Sequence, residues 1–402
     1  MMPERRLGTV IHFVHDLAGN GGGAWSVVRT LAEQHRPGAR LVLIGARKGY
    51  VNPSLEKEVL QRFDAVFLVD CPASFASSYT HPIPVRRALD ALGIQPEREP
   101  VVFHFHTGPC VPWIFRLPRR LPRGVWVSTF HGSRGSFFDT TLPTLPRRLA
   151  GILGAKVLVR RGFSLVAVSR RSAADCAAHY WIDPSRFRVI HNGVPRRQGP
   201  TERPARGRGE PFHVGFVGTV QPTKGWHRVV EAARLLRNDG YPVICSIVGN
   251  GIDGPKLRRL AEAHRDWLRA PGHVADVTGS VFPTLDALVL PSDFEGHSLV
   301  LVEALSCGVP CVCSDVGGNA ETVRDGLDGF ILHQNSPAEI AGKIQRLIDS
   351  PDLWRDFSAH CRQRYEAMFT AEIMARAYTR LYQEARGPLL RDLWEDGLAP
   401  IS

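Results

Sequence analysis

Short apolar runs alternate with longer, more polar stretches along most of this chain. Thr9-Val-Ile-His-Phe-Val14, Leu41-Val-Leu-Ile44, Ala65-Val-Phe-Leu-Val69, Val101-Val-Phe-His-Phe105 and Val125-Trp-Val-Ser-Thr-Phe130 are rich in β-branched and aromatic residues. They read as strands. Phe163 to Val168, Arg188 to Ile190, Phe212 to Val217, Val243 to Val248, Leu288 to Leu290 and Cys311 to Cys313 read the same way. Between them lie helical patterns. Ala24 to Gln34 has Trp25, Val27, Val28 and Leu31 at apolar positions, and Trp226 to Arg237, Leu299 to Ser306 and Leu347 through Leu381 are further helical stretches. Strands alternating with helices predict an α/β protein with parallel sheets, whose ligands gather at the carboxyl ends of the strands.

At 402 residues the chain is long enough for two such domains. The segment 196–210, rich in Pro, Gly and Arg, reads as a linker between residues 1–195 and 211–370, with 371–402 as a terminal helical segment. No uncharged run approaches the 18 or more residues needed to span a bilayer, and the N-terminus lacks a basic-then-apolar secretory pattern. Eight cysteines at uneven spacing argue against a disulfide framework. The expectation is a cytoplasmic protein. Cys307, Cys311 and Cys313 form a cluster in sequence, but they fall at a helix end and in a buried strand, where small residues pack.

The net charge of +11 is unevenly spread, with 28 Lys+Arg against 13 Asp+Glu in residues 1–200 and 22 against 26 in the remainder. Arg116, Arg119, Arg120, Arg123 and the stretch from Leu142 to Arg161, with Arg147, Arg148, Lys156, Arg160 and Arg161, form the densest positive region. A basic amphipathic helix fits either a solvated face or an anionic membrane surface, which would make the protein peripheral on the inner face. No zinc finger, RNP-type pattern or interleaved aromatic–basic run supports nucleic acid as a partner.

Candidate chemistry sits at strand ends. Gly21-Gly22-Gly23 precede the first helix, an arrangement that presents backbone N–H groups to phosphate or simply makes a turn. Their spacing does not fit a dinucleotide fingerprint. His106 and Thr107 follow one strand and His131 another, opening the loop His131-Gly-Ser-Arg134-Gly. Each histidine is either a satisfied turn residue or a ligand contact. Ser169 precedes a helix and reads as its cap, with an acceptor contact as the alternative. In the second half, Gly218-Thr219 and Lys224-Gly225 precede a helix. A lysine there opposes the helix dipole unless an anion lies nearby, so either a phosphate or plain solvent exposure is expected. Gly249-Asn250-Gly251 is another turn of close approach.

The stretch Pro291-Ser-Asp-Phe-Glu295-Gly-His297-Ser298-Leu299-Val300-Leu-Val-Glu303 gathers these features. A polar loop leads into a helix with Ser298 as the expected N-cap, and two carboxylates flank the helix start. Together they read either as N–H groups for an anion with carboxylates for the hydroxyls of a nucleotide sugar, or as an exposed loop glutamate and a solvated helix glutamate.

This stretch resembles the signature of family-4 retaining glycosyltransferases. The resemblance covers nearly the whole chain and is strongest from 212 to 330. It implies the GT-B fold, two Rossmann-like domains facing each other across a cleft, with the last helix returning toward the first domain. It also implies transfer of a sugar from a nucleotide-sugar donor, UDP-linked by family frequency, with retention by front-face attack. Glu295 takes the slot facing the donor sugar and Glu303 the slot facing the ribose. Thr-Phe-His131-Gly resembles the segment whose histidine contacts the transferred sugar. Lys224, Gly22, Gly23, Gly218, Thr219, Asn250, His297 and the N–H groups near Ser298, Leu299 and Val300 complete the donor side, with backbone near Val281 and Phe282 at the base. Thr219 stands where the family has arginine, Pro195 stands where it usually has an acidic residue after Asn-Gly-Val, and the segment from Gly279 to Leu288 is shorter than usual. His106, Thr107, Arg134 and Ser169 fall on the acceptor side, toward a glycan, lipid-linked or small-molecule hydroxyl. No Asp-x-Asp pair occurs, so neither a metal nor another cofactor is expected. Two rivals are a nucleotide-sugar epimerase and a non-catalytic sugar-nucleotide binder.

Overall fold

The computed structural model describes residues 7–14, 22–48, 53–71, 85–106, 121–132, 145–196 and 210–385. Thr107, Arg116, Arg119, Arg120, Arg134 and nearly all of the 196–210 segment lie outside them. The chain divides into two compact units, Met1–His191 with Ala371–Ser402, and Asn192–Thr370. Asn192 to Pro195 therefore belong with the second unit, where Val194 bridges Thr370 and accepts a hydrogen bond from Tyr365 Oη at 3.0 Å.

The first unit is a seven-stranded parallel sheet: β1 (Gly8–Val14), β2 (Ala39–Lys48), β3 (Ala65–Cys71), β4 (Val101–Phe105), β5 (Val125–Phe130), β6 (Ser164–Ala167) and β7 (Phe187–Val189), in the order 3-2-1-4-5-6-7. Helices α1 (Gly22–His35), α2 (Pro53–Arg62), α3 (Val85–Ala91), α4 (Leu145–Arg160) and α5 (Arg170–Tyr180) connect the strands. Successive strand residues point to opposite faces. Ile11, Phe13, Phe103 and Phe105 thus share one face, where Phe13 stacks on Phe105 at 4.0 Å and Phe103 on Trp126 at 4.1 Å. Their alternates His12, His104 and His106 occupy the other.

The second unit is a six-stranded parallel sheet: β8 (Phe212–Val217), β9 (Val243–Val248), β10 (Leu268–Gly272), β11 (Ala287–Leu290), β12 (Cys311–Ser314) and β13 (Gly329–Leu332), in the order 10-9-8-11-12-13. Its helices are α6 (Trp226–Asn238), α7 (Gly254–Ala263), α8 (Val277–Ser280), α9 (Leu299–Ser306), α10 (Asn319–Thr322), α11 (Pro337–Asp349) and α12 (Pro351–Met368). The helical reading of Leu347 through Leu381 requires correction, because it is three helices. Ser350 ends α11 and caps α12 by accepting from Leu353 N, and Pro351 cannot continue the preceding helix. The chain breaks again at Phe369–Thr370 before α13 (Ala371–Glu384), which packs on α1 in the first unit. Strands β10 and β13 carry little sequence signal, because β10 includes Pro271 and Gly272 and β13 is a run of only three apolar residues after Gly329.

In both sheets the order reverses beside the first strand of the unit, between β1 and β4 and between β8 and β11. Open α/β sheets bind ligands in the crevice beyond the carboxyl ends of strands at such a point.

Candidate functional site

Beyond the ends of β8 and β11, two loops meet. The chain leaves β8 through Gly218 (φ +152°) and Thr219, makes a 3₁₀ turn at Pro222–Lys224, and enters α6 through Gly225 (φ +73°). A Cβ on Gly225 would lie 2.3 Å from the Pro291 carbonyl oxygen, so the absence of a side chain lets this turn sit against the loop after β11. Asp293 N–H donates to Thr223 O at 2.8 Å, and Arg228 Nη1 donates to Pro291 O and Asp293 Oδ1, both at 2.8 Å. The close approach brings Lys224 Nζ to 2.7 Å from Glu295 Oε1, which also accepts from Ser292 Oγ at 2.8 Å. The anion beside Lys224 is thus a carboxylate of the same unit. This pairing differs from both expectations, a phosphate or plain solvent exposure, because Glu295 answers the lysine's charge in this structure.

The Glu295 loop is braced from behind. Gly317 (φ +52°) lies where a Cβ would be 2.0 Å from Glu295 O, and Gly318 N–H donates to Gly296 O at 2.7 Å. His297 is buried, with its carbonyl accepting from Asn192 Nδ2 at 3.0 Å and its Nε2 3.3 Å from Thr322 Oγ1. It positions the loop from inside rather than lying open to a ligand. α9 begins where the sequence places it, but Ser298 makes no side-chain capping bond, which corrects its reading as a conventional cap. The first N–H groups of any helix lack intrahelical acceptors, so those of Leu299 and Val300 remain available to an anion. Glu303, half-buried, follows just over one turn into the helix.

Thr219 and Asn250 are exposed at neighbouring strand ends, where Val220 N–H donates to Asn250 O at 2.9 Å. A Cβ at Gly249 would lie 1.9 Å from Gly218 O, which explains the glycine. Val281 and Phe282 are buried, and their carbonyls accept from Thr284 and Leu285. The Phe282 side chain belongs to the core.

In the first unit, Gly22 (φ +61°) and Gly23 are exposed at the start of α1. His131 follows β5, half-buried, with Nε2 3.2 Å from His106 Nδ1. His106 is buried behind it, and its Nε2 lies 3.0 Å from His12 Nδ1. His106 therefore stands behind His131 rather than toward an acceptor. Beside it, His104 bonds Tyr382 Oη at 2.7 Å and Thr129 Oγ1 at 2.8 Å. Burial drives the imidazole pKa values well below the ordinary value, to about 3 at His12 and about 4 at His131, so these rings are neutral near pH 7. Ser169 is also fully buried and spends its hydroxyl on Ser172, so its capping role displaces the acceptor contact. The histidine cluster escaped sequence reading because His12 and His104 lie mid-strand in apolar runs.

Two family models match successive parts of the chain: Glycosyltransferase Family 4 over residues 20–198 and Glycosyl transferases group 1 over residues 200–364. The chain belongs to the GT4-type glycosyltransferases. Its GT-B fold is shared with solved structures. Anabaena HepE in complex with UDP superposes with TM-score 0.70 at 18% identity, covering 93% of this chain and 99% of that one. The sucrose-phosphate synthase of Thermosynechococcus elongatus gives 0.71 at 18% identity, covering 94% and 98%. In sequence, a D-inositol 3-phosphate glycosyltransferase of Geodermatophilus obscurus is 31% identical over 63% of this chain and 62% of its own length. A glycogen synthase of Mycobacterium tuberculosis is 29% identical over 57% and 56%. The chain thus matches less than two thirds of the length of these curated relatives.

Other features of this GT4-type chain bear on partners. Cys245, Cys311 and Cys313 are buried, and burial raises each thiol, Cys245 to about 12. Cys311 and Cys361 point their thiols at the Val309 carbonyl, which is packing chemistry. No helix among the described residues is long and apolar enough to cross a membrane. On α4, Leu149 and Leu153 are exposed one turn apart, and Lys156 Nζ lies 5.7 Å from the ring of Trp181, itself 64% exposed.

Proposed function

We propose that this chain transfers a sugar from a nucleotide-sugar donor, a UDP-sugar by preference, to a hydroxyl of a glycan, lipid-linked or small-molecule acceptor, with retention at the anomeric carbon. The observation that carries the reading is the Lys224–Glu295 pair, held across the order reversal of the second sheet beside the start of the helix that bears Glu303. Lys224, the Thr219 hydroxyl and the N–H groups at the start of α9 would stabilise the leaving diphosphate; such stabilisation is usually the largest catalytic contribution. Glu303 would accept from the ribose hydroxyls, Glu295 from the transferred sugar, and His131 would contact its 6-hydroxyl. No side chain is assigned as covalent nucleophile. The departing phosphate oxygen takes the acceptor proton while the acceptor oxygen bonds the anomeric carbon on the same face. This mechanism calls on no metal. The choice of UDP is supported by the UDP and UDP-glucose complexes of the structurally similar HepE.

The exposed Leu149, Leu153 and Trp181 beside Lys156 support an anionic membrane surface as partner, with the protein peripheral on its inner face. Vesicles containing anionic lipid should retain the chain at low salt and release it at high salt; indifference to lipid charge would refute this.

Calorimetric titration with UDP, GDP, ADP and NAD in EDTA, beside Glu303→Ala, tests the donor assignment. UDP should bind, and the variant should weaken it by about 1.5–3 kcal/mol, roughly tenfold or more. Thr219, exposed and uncharged in the usual arginine slot, favours one rival, a non-catalytic binder. That rival predicts UDP binding without acceptor-dependent nucleotide release.

A further inference from the structure

Three neutral imidazoles form a hydrogen-bonded row at the carboxyl end of the first sheet. His12 lies directly opposite His104 in the β1–β4 register, and His106 follows two residues later on the same face. The row runs from His12 Nδ1 to His106 Nε2 at 3.0 Å, and from His106 Nδ1 to His131 Nε2 at 3.2 Å. A neutral imidazole has one N–H and one lone pair, on opposite nitrogens. Each link therefore needs one ring to donate and the other to accept, and only two polarities satisfy both links. In the first, His12 Nδ1–H donates to His106 Nε2, His106 Nδ1–H donates to His131 Nε2, and His131 carries its proton on Nδ1. In the second, every proton is reversed, and His12 carries its proton on Nε2.

The far end of the row distinguishes the two. His12 Nε2 is buried and has no hydrogen-bond partner among the described residues. The second polarity would strand an N–H there, whereas the first strands only a lone pair; orphaned buried N–H groups are the rarer deficit in proteins. His35, on α1, obeys the same preference. Its Nε2 faces the Ala375 carbonyl at 3.4 Å and Thr379 Oγ1 at 3.2 Å, so the proton belongs there, and its unpartnered Nδ1 carries the lone pair. His104 does not interfere, because both of its nitrogens face hydroxyls, which can donate or accept.

We infer that His12 and His106 are positioning residues that lock His131 as the Nδ1–H tautomer, so that His131 offers its ligand a hydrogen-bond donor and selects an oxygen that accepts. This rests on the reading that His131 contacts the transferred sugar. It adds to that reading a specificity: the sugar oxygen there must accept, which suits a hydroxyl or a carboxylate and disfavours a deoxy position.

Long-range ¹H–¹⁵N correlation spectra of the full chain, labelled at histidine and assigned with His131→Gln, report the protonated nitrogen of each ring directly. The expected result at pH 7.5 is Nδ1–H at His131 in the unaltered protein. His106→Phe should convert it to a mixture of tautomers, and His106→Gln, whose amide can still donate, should restore Nδ1–H. Protonation on Nε2 in the unaltered chain would overturn the inference without any variant, as would an unchanged Nδ1–H in folded His106→Phe. A further overturning result is one equivalent of zinc in the purified protein that is lost with His12→Phe, because ring nitrogens of His12, His104 and His106 lie within 4.8 Å of one another and a metal would take the lone pairs that link the row. Adding UDP-glucose tests the underlying reading separately. His131 signals that do not move in the presence of bound donor would remove the sugar contact and leave the tautomer assignment standing.

Discussion

Replacing Lys224 by Met leaves Glu295, among the described residues, with a single hydroxyl, that of Ser292, in a place where its side chain is only 12% exposed. Replacing Glu295 by Gln leaves Lys224 an amide oxygen and more solvent, since Lys224 is 22% exposed. The two single losses should therefore differ. A charged hydrogen bond contributes about 1.5–3 kcal/mol, whereas an exposed ion pair contributes about 0.2–1 kcal/mol. With both groups largely shielded, Lys224→Met should cost about 2 kcal/mol, Glu295→Gln about 1 kcal/mol, and the double variant about 2 kcal/mol, which makes the coupling about 1 kcal/mol. Hydrogen exchange of the β8 and β11 peptides reports the opening of the second unit on its own. Donor binding should separate the variants further. Lys224 must leave Glu295 to meet a diphosphate, so Glu295→Gln should bind UDP at least as tightly as the unaltered chain while losing transfer. Lys224→Met should bind UDP roughly tenfold or more weakly. Additive stability losses, or equal loss of UDP affinity in both single variants, would refute this account of the pair.

Thr219→Arg places a cation at the exposed end of β8 and should tighten UDP binding by about 1–2 kcal/mol with a steeper salt dependence; unchanged titrations would show that the position does not face the diphosphate. Gly225→Ala should destabilise the second unit by more than about 2 kcal/mol, because a left-handed residue with a Cβ costs roughly 1–2 kcal/mol before its contact with Pro291 O at 2.3 Å is relieved, and hydrogen exchange of the β11 peptide would measure it. The first unit should lose stability in acid. Burial lowers His12 to about 3 and His35 to about 4, so the unfolded chain binds more protons once the pH falls below about 6.5. At pH 5 each ring should cost about 2 kcal/mol relative to pH 7.5, and equal exchange rates of the β1 peptide's global opening at the two pH values, corrected for intrinsic exchange, would contradict it.

The strands of β4, β5, β8 and β9 and the helix α9 were legible residue by residue, because short, mostly apolar runs mark the buried strands of a parallel sheet and α9 is followed by Gly308 and Pro310, which do not continue a helix. The carboxylates of Glu295 and Glu303 were visible around a helix start, but their spacing suits a solvated pair equally well, and only the family resemblance gave them roles. Sequence alone therefore determined the α/β class, the strand ends that carry chemistry and the residues available there. It did not determine who partners whom. Lys224 and Glu295 are 71 residues apart, and His12 and His106 are 94 apart. Their contacts depend on which strands become neighbours and on glycines at 225 and 317 that let backbones touch. A histidine within an apolar run carries no mark of whether its neighbours will be phenylalanines or other histidines. Only the order 3-2-1-4 of the first sheet lines three of them up, because parallel register places side chains from distant segments on one face.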